Sequence, residues 1–373
     1  MELLSPTNNN LLIAADALKK GALVAFPTET VYGLGGDAFN NLTLAGIFKV
    51  KKRPRFDPLI IHIADHSMLG SIVDEDALRT NVKARLKKII DKFWPGPLTL
   101  VLPKKKEVPD LATAGLATAA IRFPSHPLAA KLIRLSTGAL AAPSANPFGY
   151  ISPTKAEHVV KQLGDSIDYI IDGGKTDFGI ESTVLDLCRD IPMVLRPGAV
   201  SLEELEEQIG KVELFNGKAA EPENASPTTS PAPAAPGMLK SHYAPHTRII
   251  LHKEGELSLL PHSPGEGRLY FRTPPEPANV TLKANSAPAE PANVTLTKTP
   301  AEPENASLTA PAAKILSPSG DLLEAAANLF ECLHELDSLG LKLLRAEMAP
   351  NTGLGLAIND RLTRAAASEN KED

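Results

Sequence analysis

The sequence predicts an α/β (α+β) protein in which a large, twisted, mixed sheet with flanking helices is joined to a second, small α/β domain. Across residues 1–212, roughly seven apolar, strand-like runs alternate with segments of helical periodicity. Residues 213–247 are rich in Pro, Ala, Glu, Ser and Thr, which is typical of a linker because such a segment buries no core. Strands and helices resume across residues 248–367. A length of 373 residues with 43% hydrophobic residues suits two cores.

The first predicted elements are a helix, a strand and a second helix. Residues 11–20 repeat apolar positions at helical spacing. Leu23 to Phe26 form an apolar strand that ends at Pro27, which cannot donate to a sheet. The polar and glycine-rich residues that follow, 28–36, are expected to form a turn. Helical periodicity resumes at Asn40, and five cations lie at the end of that helix: Lys49, Lys51, Lys52, Arg53 and Arg55.

Two later strands each carry one polar residue. Leu59 to Ile63 is apolar except for His62, and Ala119 to Phe123 is apolar except for Arg122. An arginine in an apolar strand needs a buried carboxylate or a bound anion, because an unpaired buried charge is costly. The sequence leaves both options open for Arg122. For His62, a hydrogen-bonded strand histidine is the simpler interpretation from the residues alone.

The last part of the first domain contains a strand that runs into a turn of small polar residues. Gly138 to Ala142 is followed by Ser144 and Asn146, whose short side chains would let a phosphate or ribose approach closely. From composition alone, an ordinary Ser/Asn turn is the simpler interpretation. A later strand ends at Arg196, where binding groups often lie. Ser201 and Glu204 have the spacing of a capping box that begins a short helix.

Charge and cysteine content exclude several classes of protein. The net charge of −5 provides no overall positive field for nucleic acid, so any anion site must be local. Cys188 and Cys332 have neither metal-ligand spacing nor the number needed for a disulfide framework. The N-terminal residues lack the pattern of a secretory signal, and no apolar stretch is long enough for a membrane span. We therefore expect a cytoplasmic protein without membrane contact.

Two stretches stand apart from the predicted domains. Within the linker, Pro236 to Pro245 contains an aromatic island that includes His242 and Tyr243. Residues 274–312, approximately, carry an imperfect EPANVTL-type repeat with a period of roughly 12 to 14 residues, too short and too polar for a solenoid. We interpret the repeat as a low-complexity insertion of unknown role. The second domain then continues with a helix from about Leu322 to Leu339.

Several separated motifs resemble one known family. PTETVYGLG at Pro27, KxRP at Lys51 and PLIIHI at Pro58 are similar to the YrdC-type domain of threonylcarbamoyl-AMP synthases. PGMxxxHYAP at Pro236 and LGLAINDRL at Leu354 are similar to the two-domain form of the family. The resemblance implies a YrdC-like first domain with an open basic groove and a Rossmann-like second domain.

The resemblance also implies an activity and its substrates. L-threonine, bicarbonate and ATP would give threonylcarbamoyl-AMP and pyrophosphate, for the threonylcarbamoyladenosine modification of tRNA at position 37. Mg²⁺ would enter with ATP, and no metal would be held by protein ligands alone. The expected partners are the machinery that transfers threonylcarbamoyl to adenosine and a weak tRNA contact. The oligomeric state and the identity of that machinery stay open.

Site residues follow from the positions that match the family motifs. The implied catalytic residues are Lys51, Arg53, Ser144 and Asn146. ATP would contact these four and also Asp57, Thr118, Ser152, Arg196 and Tyr243. L-threonine would contact Thr30, Tyr32, His62, Arg122, Ala142 and Ser182.

Two of these expectations are specific, and two further positions are harder to interpret. Arg122 would bind the threonine carboxylate through two parallel hydrogen bonds, because a guanidinium matches a carboxylate. The segment from Pro236 to Pro245 would close over the site as a lid, with Tyr243 directed inward. Asp57 is harder to place, since an acid beside a triphosphate repels it unless Mg²⁺ intervenes. Lys240 stands where relatives often carry an aromatic residue, which makes the lid contacts harder to infer.

Two other functions compete. A non-catalytic RNA-binding protein would use the basic groove for a tRNA backbone, but the net charge of −5 and the single cation cluster argue against it. A carbamoyl-transfer enzyme that uses carbamoyl phosphate would share only the YrdC-like domain. The lack of paired CxxC motifs argues against that alternative.

Overall fold

The structure is a computed structural model that describes residues 1–216, 238–239, 241–274 and 312–367. The repeat residues 275–311, most of the linker and Lys240 lie outside this part, so the predictions made for them stay predictions. Strands of the first sheet extend to Leu214, and those of the second begin at Ile249. The predicted domain boundaries at 212 and 248 also stay predictions.

Strands of the first sheet fall between residues 2 and 214. They are β1 (Glu2–Leu4), β2 (Val24–Pro27), β3 (Tyr32–Asp37), β4 (Ile60–Ile63), β5 (Leu98–Pro103), β6 (Thr118–Arg122), β7 (Ala139–Ala141), β8 (Tyr169–Ile171), β9 (Thr183–Asp186), β10 (Met193–Arg196) and β11 (Glu213–Leu214). The second sheet contains β12 (Ile249–His252), β13 (Glu266–Tyr270), β14 (Ala312–Ile315) and β15 (Leu343–Glu347).

The helices pack on these sheets. They are α1 (Asn8–Lys19), α2 (Asn41–Lys51), α3 (Leu69–Ile72), α4 (Thr80–Phe93), α5 (Asp110–Thr113), α6 (Pro127–Leu135), α7 (Ala156–Leu163), α8 (Leu202–Ile209), α9 (Leu322–Asp337) and α10 (Leu354–Ala366). Short 3₁₀ turns lie at His66–Met68, Gly164–Ser166 and Leu257–Leu259. None of the helices in the described residues combines the length and the apolar character that a membrane span requires.

The first sheet is mixed, as the sequence predicts. Its strand order is β1-β8-β2-β3-β7-β4-β6-β5-β9-β10-β11. The sheet contains parallel pairs such as β4 with β6 and antiparallel pairs such as β5 with β6. The register between β4 and β6 places His62 directly beside Arg122. The pairing of β4 with β6 therefore brings together His62 and Arg122, each of which interrupts an otherwise apolar run.

The second sheet is entirely parallel, with strand order β12-β15-β13-β14. Helices α9 and α10 pack on each other and on this sheet. Buried apolar residues of this domain share one cluster with residues of the first domain, namely Val31, Ile151 and Ile180. The two predicted domains are thus joined by an apolar contact. The expectation of a large mixed sheet plus a small α/β domain is confirmed.

Helix boundaries follow local chemistry. Asn40 accepts from the backbone of Leu42 at 2.9 Å and caps α2. Ser201 and Glu204 form the predicted capping box of α8. After β4 the chain forms only one short α-helix, α3, before the long helix α4 begins at Thr80.

The turn predicted over residues 28–36 is wrong for most of its length. Only Thr28 to Val31 turn, held by the Thr28 hydroxyl that donates to the Val31 carbonyl at 2.6 Å. The glycines that follow belong to β3 and serve close packing. A Cβ on Gly35 would lie 2.5 Å from Cε1 of Phe26, and one on Gly36 would lie 2.3 Å from Cγ2 of Thr43.

Candidate active site

A pocket opens where the turn after β2 and the segments around β4, β6, β7, β9 and β10 meet. The aromatic island of the linker covers it. The lining consists of Thr28, Thr30, Val31, Gly33, Arg53, Ile60, His62, Arg122, Ala142, Pro143, Ser144, Glu181, Ser182, Arg196, His242 and Tyr243. Nine of the sequence-predicted site residues are in this lining: Thr30, Arg53, His62, Arg122, Ala142, Ser144, Ser182, Arg196 and Tyr243.

One wall of the pocket is built around Arg122. Its Nη2 lies 2.7 Å from Oε1 of Glu29, and its Nη1 donates to Oγ1 of Thr30 at 2.9 Å. Both charged side chains are buried. Burial works to raise the pKa of Glu29, but the charge and hydrogen bond of Arg122 leave it below its ordinary value. Arg122 therefore has an internal carboxylate partner and also lines the pocket, while the bound anion stays a prediction.

His62 is a neutral acceptor beside this arginine. Its Nδ1 lies 3.2 Å from the Ile60 carbonyl, and because a carbonyl only accepts, Nδ1 carries the proton. Burial, and then the neighbouring Arg122 charge, lower the pKa of His62 to about 3. The ring is consequently uncharged at neutral pH, with Nε2 left as an acceptor.

The opposite wall joins the KxR motif to the Ser144–Asn146 turn. The Lys51 ammonium donates to the backbone carbonyls of Ser144, at 2.5 Å, and of Asn146. Burial lowers the pKa of Lys51 well below its ordinary value. The Asn146 amide donates to the carbonyls of Pro147 and Tyr150 at 2.8 and 2.9 Å. Lys51 and Asn146 thus shape the turn from behind, while Ser144 faces the pocket.

Asp57 has a structural explanation that the sequence did not provide. It is fully buried, and Oδ2 lies 2.9 Å from Nη2 of Arg53. Arg53 also donates to the carbonyls of Asp57 and Pro58, at 3.1 and 2.7 Å. Asp57 is absent from the pocket lining. Its carboxylate therefore orients Arg53 from outside the pocket lining, and a direct contact of Asp57 with ATP stays a prediction.

Three further sequence-predicted residues are absent from the lining. The Tyr32 hydroxyl donates to the Gly174 carbonyl at 2.8 Å. The Ser152 hydroxyl donates to the Glu181 carboxylate. Thr118 begins β6, four residues before Arg122, and is half-buried. Direct ligand contacts of these three stay predictions.

Comparison with known proteins identifies the family. A family model described as "Telomere recombination" matches residues 16–198. A second model, for the C-terminal domain of threonylcarbamoyl-AMP synthase, matches residues 200–367. The threonylcarbamoyl-AMP synthase of Pyrococcus abyssi is 38% identical over 357 residues, which cover 95% of this chain and 93% of that protein. The chain belongs to the threonylcarbamoyl-AMP synthase family.

Other members of the family agree with this assignment. The threonylcarbamoyl-AMP synthase of Bacillus subtilis is 38% identical over 369 residues, which cover 97% of this chain and 94% of that protein. The crystal structure of P. abyssi Sua5 complexed with L-threonine has a TM-score of 0.78 and 34% sequence identity, and the match covers 98% of each chain. The similarity extends over both domains.

In this member of the synthase family, the second domain contributes to the site through Arg361. This α10 residue is fully buried, and its Nε donates to Oε2 of Glu181 at 2.8 Å. Its guanidinium also lies over the Tyr243 ring, 5.1 Å from the centroid. Burial works to raise the pKa of Glu181, but Arg361 and Arg196 hold it below its ordinary value. Glu181 stays ionised between the two domains.

The covering segment agrees with the expected lid. Tyr243 is buried and lines the pocket, although its φ of +63° is uncommon for a residue with a side chain. Its ring lies 5.5 Å from the ring of Phe330 on α9. His242 lines the pocket beside it, and burial lowers the pKa of His242 to about 3. Held in place by the second domain, the two aromatic residues close the groove that the resemblance implies to be open.

Sequence reasoning missed Glu29, Glu181, His242 and Arg361. Glu29, His242 and Arg361 stand inside motifs quoted above, but nothing in the local pattern assigns a role to them or to Glu181. Glu29 and Arg122 are 93 positions apart, and Glu181 and Arg361 are 180 apart, so their pairing is visible only in the fold. Charge balance could have indicated these two ion pairs, because each buried arginine requires a carboxylate.

The strand pair behind Ser182 gives a first expectation for a synthase variant. A Cβ on Gly198 would lie 2.3 Å from the Thr183 amide nitrogen and 2.5 Å from the Glu181 carbonyl oxygen. Both atoms belong to backbone that cannot rotate away. We expect Gly198→Ala to lower the free energy of unfolding by about 1–3 kcal/mol through overpacking and to weaken substrate binding. Urea unfolding checks this, and Gly70→Ala serves as control because a Cβ there meets no atom within 4 Å and the residue does not have a positive φ.

Proposed function

We propose that this chain is an ATP-dependent nucleotidyltransferase that converts L-threonine, bicarbonate and MgATP into L-threonylcarbamoyl-AMP and pyrophosphate. The product would supply the threonylcarbamoyladenosine modification of tRNA at position 37, through separate transfer machinery in the cytoplasm. A weak tRNA contact belongs to the same proposal. The proposal rests on family membership and on the buried charge around the pocket.

The arginines that line the pocket are the observation that carries the proposal. Three buried arginines face it: Arg53, Arg122 and Arg196. Glu181 shares the lining, while Glu29 and Asp57 pair with Arg122 and Arg53. Guanidinium groups that face a pocket suit an anionic ligand, because they match the oxygens of carboxylate and phosphate groups. A triphosphate and the carboxylate of an amino acid would be such ligands.

The first chemical step would form a carbamate. The threonine amine attacks the carbon of bicarbonate, a nitrogen–carbon bond forms, and water leaves. In this step Arg122 would hold the threonine carboxylate, as Glu29 fixes the guanidinium and leaves further N–H groups free. The neutral His62 would accept a hydrogen bond from the amine, because its free Nε2 is an acceptor.

The second step would transfer the adenylyl group. A carbamate oxygen attacks the α-phosphorus, and the bond to the bridging oxygen breaks as pyrophosphate leaves. The attacking group is already anionic, so the step requires positioning and charge neutralisation more than a general base. Arg53 and Arg196 would neutralise the phosphates, and Ser144 would donate to a phosphate or carbamate oxygen. The closed segment with Tyr243 would keep water from the adenylate.

Mg²⁺ would reach the site as part of the ATP substrate. In the described residues, no group of three or more His, Cys, Asp or Glu side chains is placed to hold a metal ion. The pocket carboxylates are all paired with arginines. This fits a cation held mainly by phosphate oxygens and water, as Mg²⁺ commonly is.

The test is threonine-dependent formation of pyrophosphate and of threonylcarbamoyl-AMP, the latter identified by mass spectrometry. We expect formation to require ATP, Mg²⁺, bicarbonate and L-threonine together, and EDTA to abolish it. L-serine should react more slowly, since it lacks the threonine methyl group. Pyrophosphate release without threonine, or salt-sensitive RNA binding without turnover, would contradict the proposal.

A further inference from the structure

Two imidazoles from different domains stack on each other outside the pocket. His158 lies on α7 of the first domain and His334 on α9 of the second. Their ring centroids are 4.0 Å apart with an interplanar angle of 32°. His158 is buried and His334 is half-buried. Neither residue belongs to the site described above.

Specific hydrogen bonds fix the protonation of both rings. The Thr154 amide donates to Nδ1 of His158 at 3.3 Å, so this nitrogen carries no proton. Nε2 of His334 lies 3.1 Å from the Ser152 carbonyl, which only accepts, so Nε2 is the protonated nitrogen. A proton added to His158 at Nδ1 would break the first bond. A proton added to either ring would also place positive charge against the other ring.

The segment between these contacts reaches the site. The Ser152 hydroxyl donates to Glu181, which lines the pocket. The carbonyl of Pro153 accepts from the Tyr32 amide at 2.9 Å, and that of Thr154 accepts from the Thr176 amide at 3.0 Å. Residues 152–154 therefore join the imidazole pair, His158 and His334, to the backbone and carboxylate of the pocket.

Charged neighbours act on the pair in both directions. Lys155 and Lys161 oppose added positive charge on His158, whereas Glu331 favours it. For His334, Asp337 favours a proton and Lys161 opposes it. Glu157 on α7 lines the cavity beside the pair. On α9, Glu331 is engaged by both Lys155 and Lys175. His158 and His334 line a surface cavity outside the candidate active site. Further charged or titratable groups that line this cavity are Glu335, Asp337, His246 and Arg248.

Among these, Asp337 is engaged elsewhere, since it accepts from the Tyr150 hydroxyl and the Thr247 amide. Burial lowers the pKa of His158 to about 3 and that of His334 to about 4. The folded state therefore strongly prefers two uncharged rings.

We propose that His334 is a positioning residue supplied by the second domain, which holds Ser152 at the pocket only while the stacked imidazole pair is uncharged. Acid would then separate the second domain from the first and disorganise the site. This inference rests on the proposed function, because Ser152 matters as an expected ATP contact. It assigns the second domain a pH-dependent part in activity.

The sign and size of the effect follow from linkage. A ring whose pKa is depressed in the closed state leaves the stability of that state undiminished above the ordinary pKa near 6.5. As pH falls below that value, the open state takes up a proton that the closed state does not, and the closed state becomes less stable relative to the open one. At pH 5.5 the closed state should weaken about tenfold for each imidazole, and so about 100-fold for the pair. His242 of the covering segment also has a depressed pKa of about 3 and would contribute in the same sense where opening exposes it, so a comparison with a variant of the pair is needed to isolate the pair.

The experiment compares the full chain with the His158→Asn/His334→Gln double variant between pH 7.5 and 5.5. Asparagine can accept at the position of Nδ1, glutamine can donate at the position of Nε2, and neither titrates. We measure kcat and the KM for ATP, and separately the radius of gyration by small-angle X-ray scattering. The ratio of variant to wild-type kcat/KM should rise at least tenfold as the pH falls, and only the wild type should expand.

Two further variants make the result decisive. His334→Leu removes the donor and should raise the KM for ATP at pH 7.5, whereas His334→Gln restores it. His262→Gln changes an exposed histidine of the second domain and should leave the pH profile unchanged. If the double variant does not fold, His334→Gln alone carries the test, with an expected change of about tenfold.

The outcomes separate this inference from the proposed function. A variant-to-wild-type ratio that stays constant with pH, together with an unchanged radius of gyration, would overturn the role of the imidazole pair. Absence of threonine-dependent pyrophosphate release in the wild type at pH 7.5 would instead contradict the proposed function. In that case the scattering comparison still tests the pair, because it does not depend on turnover.

Discussion

Replacing Arg53 by alanine is expected to lower kcat for threonine-dependent pyrophosphate release by about 10³-fold, the size typical of losing an arginine at a transferring phosphate. Arg53 lines the pocket and is held by Asp57 at 2.9 Å and by two backbone carbonyls. This support fixes the guanidinium before the substrate binds, so little ordering is needed during the reaction. Single-turnover formation of threonylcarbamoyl-AMP measures the chemical step directly.

The same substitution leaves Asp57 as a buried carboxylate without its partner, which is expected to cost about 3–5 kcal/mol of stability. Loss of activity could therefore reflect unfolding. The Arg53→Ala/Asp57→Asn double variant removes the unpaired charge and should recover much of the stability without recovering activity. Arg55→Ala is the matched control, because Arg55 is exposed two residues away and lies outside the pocket. Full activity of the double variant would show that Arg53 does not act on the phosphates.

Much of the fold could be predicted from periodicity, but the parts that depend on backbone pairing could not. Apolar runs such as Leu98 to Leu102 indicate central strands, because a strand that is buried on both faces has a continuously apolar sequence. Edge strands β1 and β11 contain three and two residues, too few for any side-chain period. The glycines of β3 were assigned to a turn because their packing against Phe26 and Thr43 is not local in sequence.

The candidate site shows the same division. The resemblance supplied Arg53, Ser144, Arg122 and Tyr243, and the structure places all four in one pocket. The contacts that hold these side chains in the pocket join residues far apart in the chain, such as Glu29 and Arg122. Asp57 illustrates the limit best. Its sequence position suggested repulsion of phosphate, whereas the structure buries it against Arg53, which it holds in place.

Replacing Arg361 by methionine is expected to lower the free energy of unfolding at pH 7 by about 3–5 kcal/mol, since it leaves Glu181 buried without its main partner. The guanidinium also donates to the Pro197 carbonyl at 2.9 Å and packs on Tyr243, so its loss should release the covering segment. Activity should fall together with stability. Urea unfolding followed by circular dichroism, and pyrophosphate release at 0.5 M added urea, measure the two effects.

The pH dependence of this stability loss identifies its electrostatic origin. The pKa of Glu181 is depressed in the folded chain, so the ion pair contributes above the ordinary carboxyl value and is lost as pH falls through the lower folded value. The difference in stability between wild type and Arg361→Met should therefore be full at pH 7 and shrink below about pH 4.5, near the ordinary carboxyl pKa. Arg345→Met is the control, because its ion pair with Glu266 is partly exposed within the second domain and is expected to be worth about 1 kcal/mol or less. A loss for Arg361→Met that does not change with pH would mean that the residue acts through packing on Tyr243, and the charge of Glu181 would then have no part in joining the two domains.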